Sequence, residues 1–399
     1  MNADRPPLEH LRVIEVGNFM AVPFCGMQLA DLGADVVKVE NPKGGDLTRA
    51  AGPFVGGESA NFVRLNRGKR SIAIDLKSAA GVEIFRALAA GADVIIENLR
   101  PGTMRGLGLD YDALAPDSPG LIYVAATGFG QDGPYASWAG LDIIAQGMSG
   151  LMSITGEPGG APVKVGVPIA DLTCALYATI AVLAALRARD RDGRGQFIDV
   201  SLLESAVSLA VWEAGNYFTT GAVPEPNGSA HQAIAPYQAL KSADGWFTFG
   251  ANTQAHWART CALLELPDLL DDPRFATNAS RVAHRGELIE RIEGRTVEES
   301  TDVWLERFIA AGVPCGPIRR FDRVFSDPHL EQRGFFTQTH DERLGTLRHL
   351  GSPMRLSRTP VQIAHAGPAL GADTGPILAE LGLSSTEIAA LVDDGTVAV

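Results

Sequence analysis

Apolar and polar positions change rhythm along the first 130 residues. "LRVIEVG" (11–17), "DVVKVE" (35–40), "SIAIDL" (71–76), "DVIIENL" (93–99) and "GLIYVAAT" (120–127) are short runs rich in Val and Ile. Such runs, bounded by turn residues, predict strands. Between them, "FCGMQLADLGA" (24–34) and "AAGVEIFRALAAGA" (79–92) carry helical periodicity, the first ending at Gly33. Strands alternating with helices predict a doubly wound α/β domain, a parallel sheet with helices on both faces. Ligands in such sheets sit beyond the carboxyl ends of the strands. Gly17–Pro23, Asn41–Asp46 and Asn98–Gly102 are therefore placed on the functional edge.

The rhythm shifts after Asp190. A Gly-rich turn leads to "QFIDVS", then to a helical pattern. Residues 219–236 are rich in Pro, Gly and small polar residues and read as a linker. "YQALKSADGWFTFGA" follows as a hairpin turning at Ala243-Asp244-Gly245. Helical patterns cover Trp257–Leu263 and Gly286–Ala311, and strand patterns return after about Ser326. The tail reads as two short helices, the second capped at Ser384 or Ser385 with Glu387 close behind. The division is thus a large domain from residues 1–218, a linker 219–236, a smaller α+β domain 237–325, and a return to the large domain at 326–399.

Composition narrows the function. The chain has 399 residues, 46% hydrophobic and 20% charged, which is globular. The longest apolar stretch, 172–186, is short of the ~20 residues of a membrane span and reads as a buried helix. No export signal opens the chain, and four scattered cysteines offer no metal-ligand spacing and no disulfide framework. A cytoplasmic protein with neither metal nor membrane partner is expected. A net charge of −13 argues against nucleic acid.

Three stretches invite chemistry. "GFGQDG" (128–133) matches GxGxxG after a strand, but Pro134 interrupts before any helix begins and no acidic residue follows at the required distance. A loop that needs backbone freedom is the better reading. "NRGKRSIAIDLK" gathers Arg67, Lys69, Arg70 and Lys77, with Arg100 and Arg105 further on. The set is either a solvated basic face or a seat for phosphates. Asp171, in "VGVPIADLTCALYATIAVLAALRARD", precedes the long apolar run. It reads as a helix N-cap, as a nucleophilic carboxylate, or as both. Cys174, one turn on, reads as packed rather than reactive.

Taken in order, "RVIEVGNFMAVPFCGMQLADLGADVVKVENPKGGDLTR", "NRGKRSIAIDLK", "ADVIIENLRPGTM", "VGVPIADLTCALYA", "GRGQFIDVSLLES", "IAPYQALKSADGW", "DPRFATNASR" and "GADTGPILAELGLS" resemble the family III CoA-transferases along nearly the whole chain. The resemblance implies a CoA-transferase moving CoA from a short acyl-CoA, succinyl-CoA by preference, to a carboxylic acid. It implies Asp171 as the nucleophile forming anhydride and aspartyl-CoA intermediates. It also implies CoA contacts at Phe19, Met20, Ala21, Lys77, Asn98, Leu99, Arg100 and Arg105, and a homodimer of two interlocked rings. Members with Gln after the first strand differ from this chain, which has Met20. Where oxalate-type relatives have a run of glycines, this chain has "GANTQ" (250–254); that loop and Gly128–Gly133 are candidate oxyanion donors. Two alternatives stay open: an acyl-CoA racemase of the same family, disfavoured because Leu141 stands where the basic His would be, and a CoA-binding protein without turnover. Asp142, beside it, either positions substrate or caps a helix.

Overall fold

In the structure, a computed structural model that describes residues 5–399, the β-branched runs of the first half line up in one sheet. Its parallel strands are β1 (Arg12–Val16), β2 (Asp35–Glu40), β3 (Lys69–Ile74), β4 (Val94–Glu97), β5 (Ile122–Thr127) and β6 (Phe197–Ser201). The spatial order is β3-β2-β1-β4-β5-β6, and the short strand Val397–Ala398 adds antiparallel outside β3. The sheet is therefore mixed but mostly parallel. The chain works outward from β1 in one direction and then resumes on its other side with β4. The carboxyl ends of β1 and β4 bound the crevice where the strand order reverses, the place such sheets receive ligands.

Alternate residues face opposite layers. Four helices matter for the site: α1 (Ala21–Asp31), α2 (Ala79–Ala90), α3 (Asp142–Met148) and α4 (Ile169–Asp192). Val13, Val36, Val94 and Val124 pack under α1 and α4. Ile14, Val37, Ile95 and Tyr123 pack under α2 and the C-terminal helices. Burying each aliphatic side chain stabilises the fold by about 1.5–3 kcal/mol.

Small residues let α4 lie close to α1: Ala170, Cys174, Ala175, Ala178 and Val182 are all buried. The helix extends beyond the apolar run 172–186 at both ends. At 24 residues it is long and apolar enough to cross a membrane by length and composition alone, although half of its most apolar window is buried in this fold. Its other face leaves Leu176, Tyr177, Ile180 and Leu183 exposed.

The expected hairpin forms from β7 (Tyr237–Lys241) and β8 (Trp246–Gly250), and β9 (Cys315–Pro317) completes an antiparallel sheet. Phe247, Trp257 and Phe308 sit in its own core. The helical pattern 286–311 is interrupted, because Ser300 caps a new helix at Thr301. A second hairpin pairs β10 (Phe336–Asp341) with β11 (Gly345–Leu350), and the tail helix Ser385–Asp393 starts in a capping box of Ser384 and Glu387.

The chain divides into two units. One holds the residues up to Leu151, Lys164–Phe218 and His329–Val399; the other holds Met152–Val163 and Thr219–Pro328. The segment Met152–Val163, which the sequence gives no reason to separate from its neighbours, belongs with the second unit.

Candidate active site

The loop after β1 is tightly specified. A Cβ on Gly17 would meet Asn98 Oδ1 at 2.7 Å and Val22 at 2.8 Å, so only glycine fits. Asn98, just past β4, braces the crevice from the other side. Its Nδ2 donates to the Asn18 carbonyl (2.9 Å) and its Oδ1 accepts from the Asn18 N–H (3.0 Å). Phe19 is held at φ +60, a region costly for a side chain of this size, and its N–H donates to Asp46 Oδ1 (3.3 Å). Met20 precedes α1 without a side-chain cap bond, and Ala21, the first residue of α1, is buried.

Charge is buried under this loop. Lys38 Nζ lies 2.7 Å from Glu15 and 2.8 Å from Asp46, and donates to the Gly17 carbonyl at 2.8 Å. Burial opposes the Lys38 charge, but Glu15 and Asp46 outweigh it and hold the ammonium up at about 12. Lys69 reaches Glu15 at 2.7 Å; there burial wins over the carboxylate and pulls it down to about 8. Arg67 pairs with Asp31 (2.6 Å) and Arg70 with Glu380 (2.6 Å). Arg67, Lys69 and Arg70 are thus held in ion pairs and form no solvated basic face.

Two cavities flank the turn at 101–107. The smaller, about 310 Å³, is lined by Gly17, Asn18, Asp75, Lys77, Leu99 and Thr103 among others. Lys77 is exposed there and makes no ion pair with a described residue. Leu99 shares this wall, while Asn98 braces the loop instead. Arg100 is exposed and lines neither cavity. Arg105 lies on the larger cavity, about 560 Å³, with its guanidinium taken by Asp110 (2.9 Å) and Asp112 (3.0 Å). The residues expected along a nucleotide are therefore not brought together as one set.

Asp171 is the third residue of α4, and it does not cap the helix. Its carboxylate accepts no hydrogen bond from a described residue. The cap comes from elsewhere. Asp142, at the start of α3, accepts from the N–H groups of Ala170 (2.9 Å) and Asp171 (3.4 Å) through Oδ1. Its Oδ2 accepts from Gln146 Nε2 (2.7 Å), and Gln146 Oε1 in turn accepts the Val165 N–H (2.9 Å). Asp142 is therefore a cap, but for α4 and not for its own helix. Burial, with Asp142 nearby, raises Asp171 to about 7. The Asp142–Gln146 frame was missed in the sequence; its signal was a polar pair four residues apart on one helix face. Cys174 is fully buried and burial pushes its thiol up to about 12, so it is no rival nucleophile at neutral pH.

Several N–H groups of the glycine turns are already engaged. A Cβ on Gly128 would stand 2.5 Å from Gly140 Cα, so two backbones cross there. The N–H of Gly130 is taken by Thr127 Oγ1 and that of Gln131 by Asp199 Oδ2. No helix begins between this glycine run and Asp142, which removes the dinucleotide reading. In the second unit, the N–H groups of Gly250 and Ala251 donate to Pro314 and Pro236 carbonyls. His231 there accepts the Ala233 N–H through Nδ1 and packs edge-on against Tyr237, a structural role. Among the described residues no group of three or more His, Cys, Asp or Glu is placed to hold a metal ion.

Known proteins share this architecture. Residues 8–374 match the model of CoA-transferase family III. The chain is 42% identical to the succinate--glutarate CoA-transferase of Agrobacterium fabrum over 94% of this chain and 96% of that one. It is 40% identical to the succinyl-CoA:glutarate CoA-transferase of Homo sapiens, over 94% and 86%. The crystal structure of a CaiB/BaiF family protein from Brucella suis superposes with a TM-score of 0.85 at 41% identity, covering 95% of this chain and all of that one. With the fold, the crevice and these relatives in agreement, the chain belongs to the family III CoA-transferases, enzymes whose substrates are CoA esters.

Proposed function

We propose that the enzyme transfers CoA from succinyl-CoA to a second carboxylic acid through covalent intermediates on Asp171. The observation that carries this reading is Asp171 itself: a half-buried carboxylate at a helix start, with its backbone N–H already capped by Asp142 and its own oxygens accepting no hydrogen bond from a described residue. The names of the relatives support a short dicarboxylyl donor, since they pair succinyl-CoA or succinate with glutarate or D-citramalate.

In the first step an Asp171 oxygen attacks the donor thioester carbonyl. The C–S bond breaks, leaving a mixed anhydride and CoA thiolate. The thiolate attacks the aspartyl carbonyl, and the donor leaves as its carboxylate. The acceptor carboxylate then attacks the aspartyl-CoA thioester and releases thiolate again. The thiolate takes the acceptor acyl group, and Asp171 returns as carboxylate. No proton or electron is left over. The thioester free energy is kept throughout, provided water stays out. Lys77 pairs with a CoA phosphate in the smaller cavity, alongside Leu99. The loop Phe19–Ala21, fixed by Asp46 and Asn98, guides the thiol end toward Asp171. Leu141 is exposed and carries no proton, so the racemase route has no base at that position.

The active form is a cytoplasmic homodimer of interlocked chains. The exposed apolar residues of α4 (Leu176, Tyr177, Ile180, Leu183), with Ile143, Ile144 and Met148 on α3, support a covered surface there. Sedimentation at nanomolar concentration should still show the dimer. The chemistry is tested by mass spectrometry after mixing the protein with a panel of short acyl-CoAs and hydroxylamine. A hydroxamate on the peptide holding Asp171, absent in Asp171→Ala, is expected, with succinyl-CoA the best donor. CoA binding without any adduct would leave a binding protein.

A further inference from the structure

The larger cavity has a chemistry that the transfer reaction does not use. It lies on the other side of the 101–107 turn from Lys77 and holds about 560 Å³, room for a small molecule. Tyr111, Tyr123 and Phe197 form an aromatic wall, their ring centroids 5.9–6.4 Å apart. Glu97 opens into it and is only 6% exposed. One Glu97 oxygen accepts the Leu99 N–H (2.6 Å); the other meets no donor from a described residue, and no cation pairs with the carboxylate. Arg105, on the rim, is already neutralised by Asp110 and Asp112. Acid thus outnumbers base around an apolar, aromatic space. Burial, together with the Asp199 charge and against the Leu99 N–H, lifts Glu97 to about 7, the signature of a carboxylate lacking its partner.

We infer that this cavity is a binding site for a small organic cation, an ammonium or guanidinium group on an apolar stem. The cation would form a charge-assisted hydrogen bond with Glu97, and the stem would lie against the aromatic wall. The same acidic groups repel a CoA phosphate, which sets this site apart from the one carrying Lys77. Because Glu97 holds the Leu99 N–H and Leu99 lines the smaller cavity, an occupant at Glu97 adjoins the CoA path through two residues of backbone.

Isothermal calorimetry on the full-length protein tests this with benzylammonium and its neutral counterpart, benzyl alcohol. Benzylammonium is expected to bind one per chain, at least tenfold tighter than the alcohol. Glu97→Gln should lose that preference while still binding CoA. Should Glu97→Gln fail to fold, Phe197→Arg, at a position 41% exposed, places a cation at the rim and should abolish benzylammonium binding. Equal binding of the two probes, an unchanged preference in either variant, tighter binding of adenine, or no binding because a second copy covers the cavity would each overturn the inference.

Discussion

Replacing the proposed nucleophile should make the protein more stable, and more so in alkali. Asp171 ionises near 7, against about 3.9 for a free Asp side chain. A carboxyl whose pKa is raised on folding supports the fold fully while protonated. That support is lost as pH rises from about 4 through about 7. Linkage gives a cost of about 4 kcal/mol by pH 8 but only about 1.5 kcal/mol at pH 5, as upper bounds. Screening through the partly exposed carboxylate brings the pH 8 figure to about 1–3 kcal/mol. Asp171→Asn keeps the shape and cannot ionise, so it should be inactive and should melt at higher temperature than the parent. The gain in Tm should be clearly larger at pH 8 than at pH 5. Scanning calorimetry of both proteins from pH 5 to pH 8 reads it directly. A gain that is equal across this range, or larger at pH 5, would refute the view of Asp171 as a charge held at a loss for catalysis.

The same value sets the rate profile: kcat/KM should climb about tenfold per pH unit below 7 and level off above it, since the carboxylate is the attacking form; a flat profile between pH 5 and 7 would contradict it. Lys38→Met leaves Glu15 and Asp46 buried with one cation fewer, and should cost about 3–5 kcal/mol in a denaturant titration. Lys77→Ala should raise KM for the CoA ester about tenfold with little change in kcat, an effect that shrinks as salt is added. Gly128→Ala drives a methyl into Gly140 and should destabilise by about 1–3 kcal/mol, visible as a lowered Tm.

The strands were readable because Val and Ile cluster in short runs between turns, and Asp171 stood out because it is acidic ahead of an apolar helix. What could not be read is what depends on partners far away in sequence. Arg67, Lys69 and Arg70 look like a basic patch only until Asp31, Glu15 and Glu380 are brought to them. Asp171 reads as a candidate cap of α4 because capping rules are local; Asp142 performs it from 28 residues before Ala170. Asn98 also braces Asn18 through its amide, a contact that exists only because β4 pairs with β1. The strand order that creates the crevice is likewise a property of the pairing and not of any one run.

The division of the large unit among separate stretches of chain has a consequence for how the protein is made. Its last part, His329–Val399, leaves the ribosome only after Thr219–Pro328 has been synthesised. At about 5–20 residues per second, that delay is on the order of 5–20 s. Throughout it β3 lacks its antiparallel neighbour Val397–Ala398 and stays an open sheet edge. The nascent enzyme is therefore exposed to wrong pairing late in translation, on polysomes where identical chains are close by.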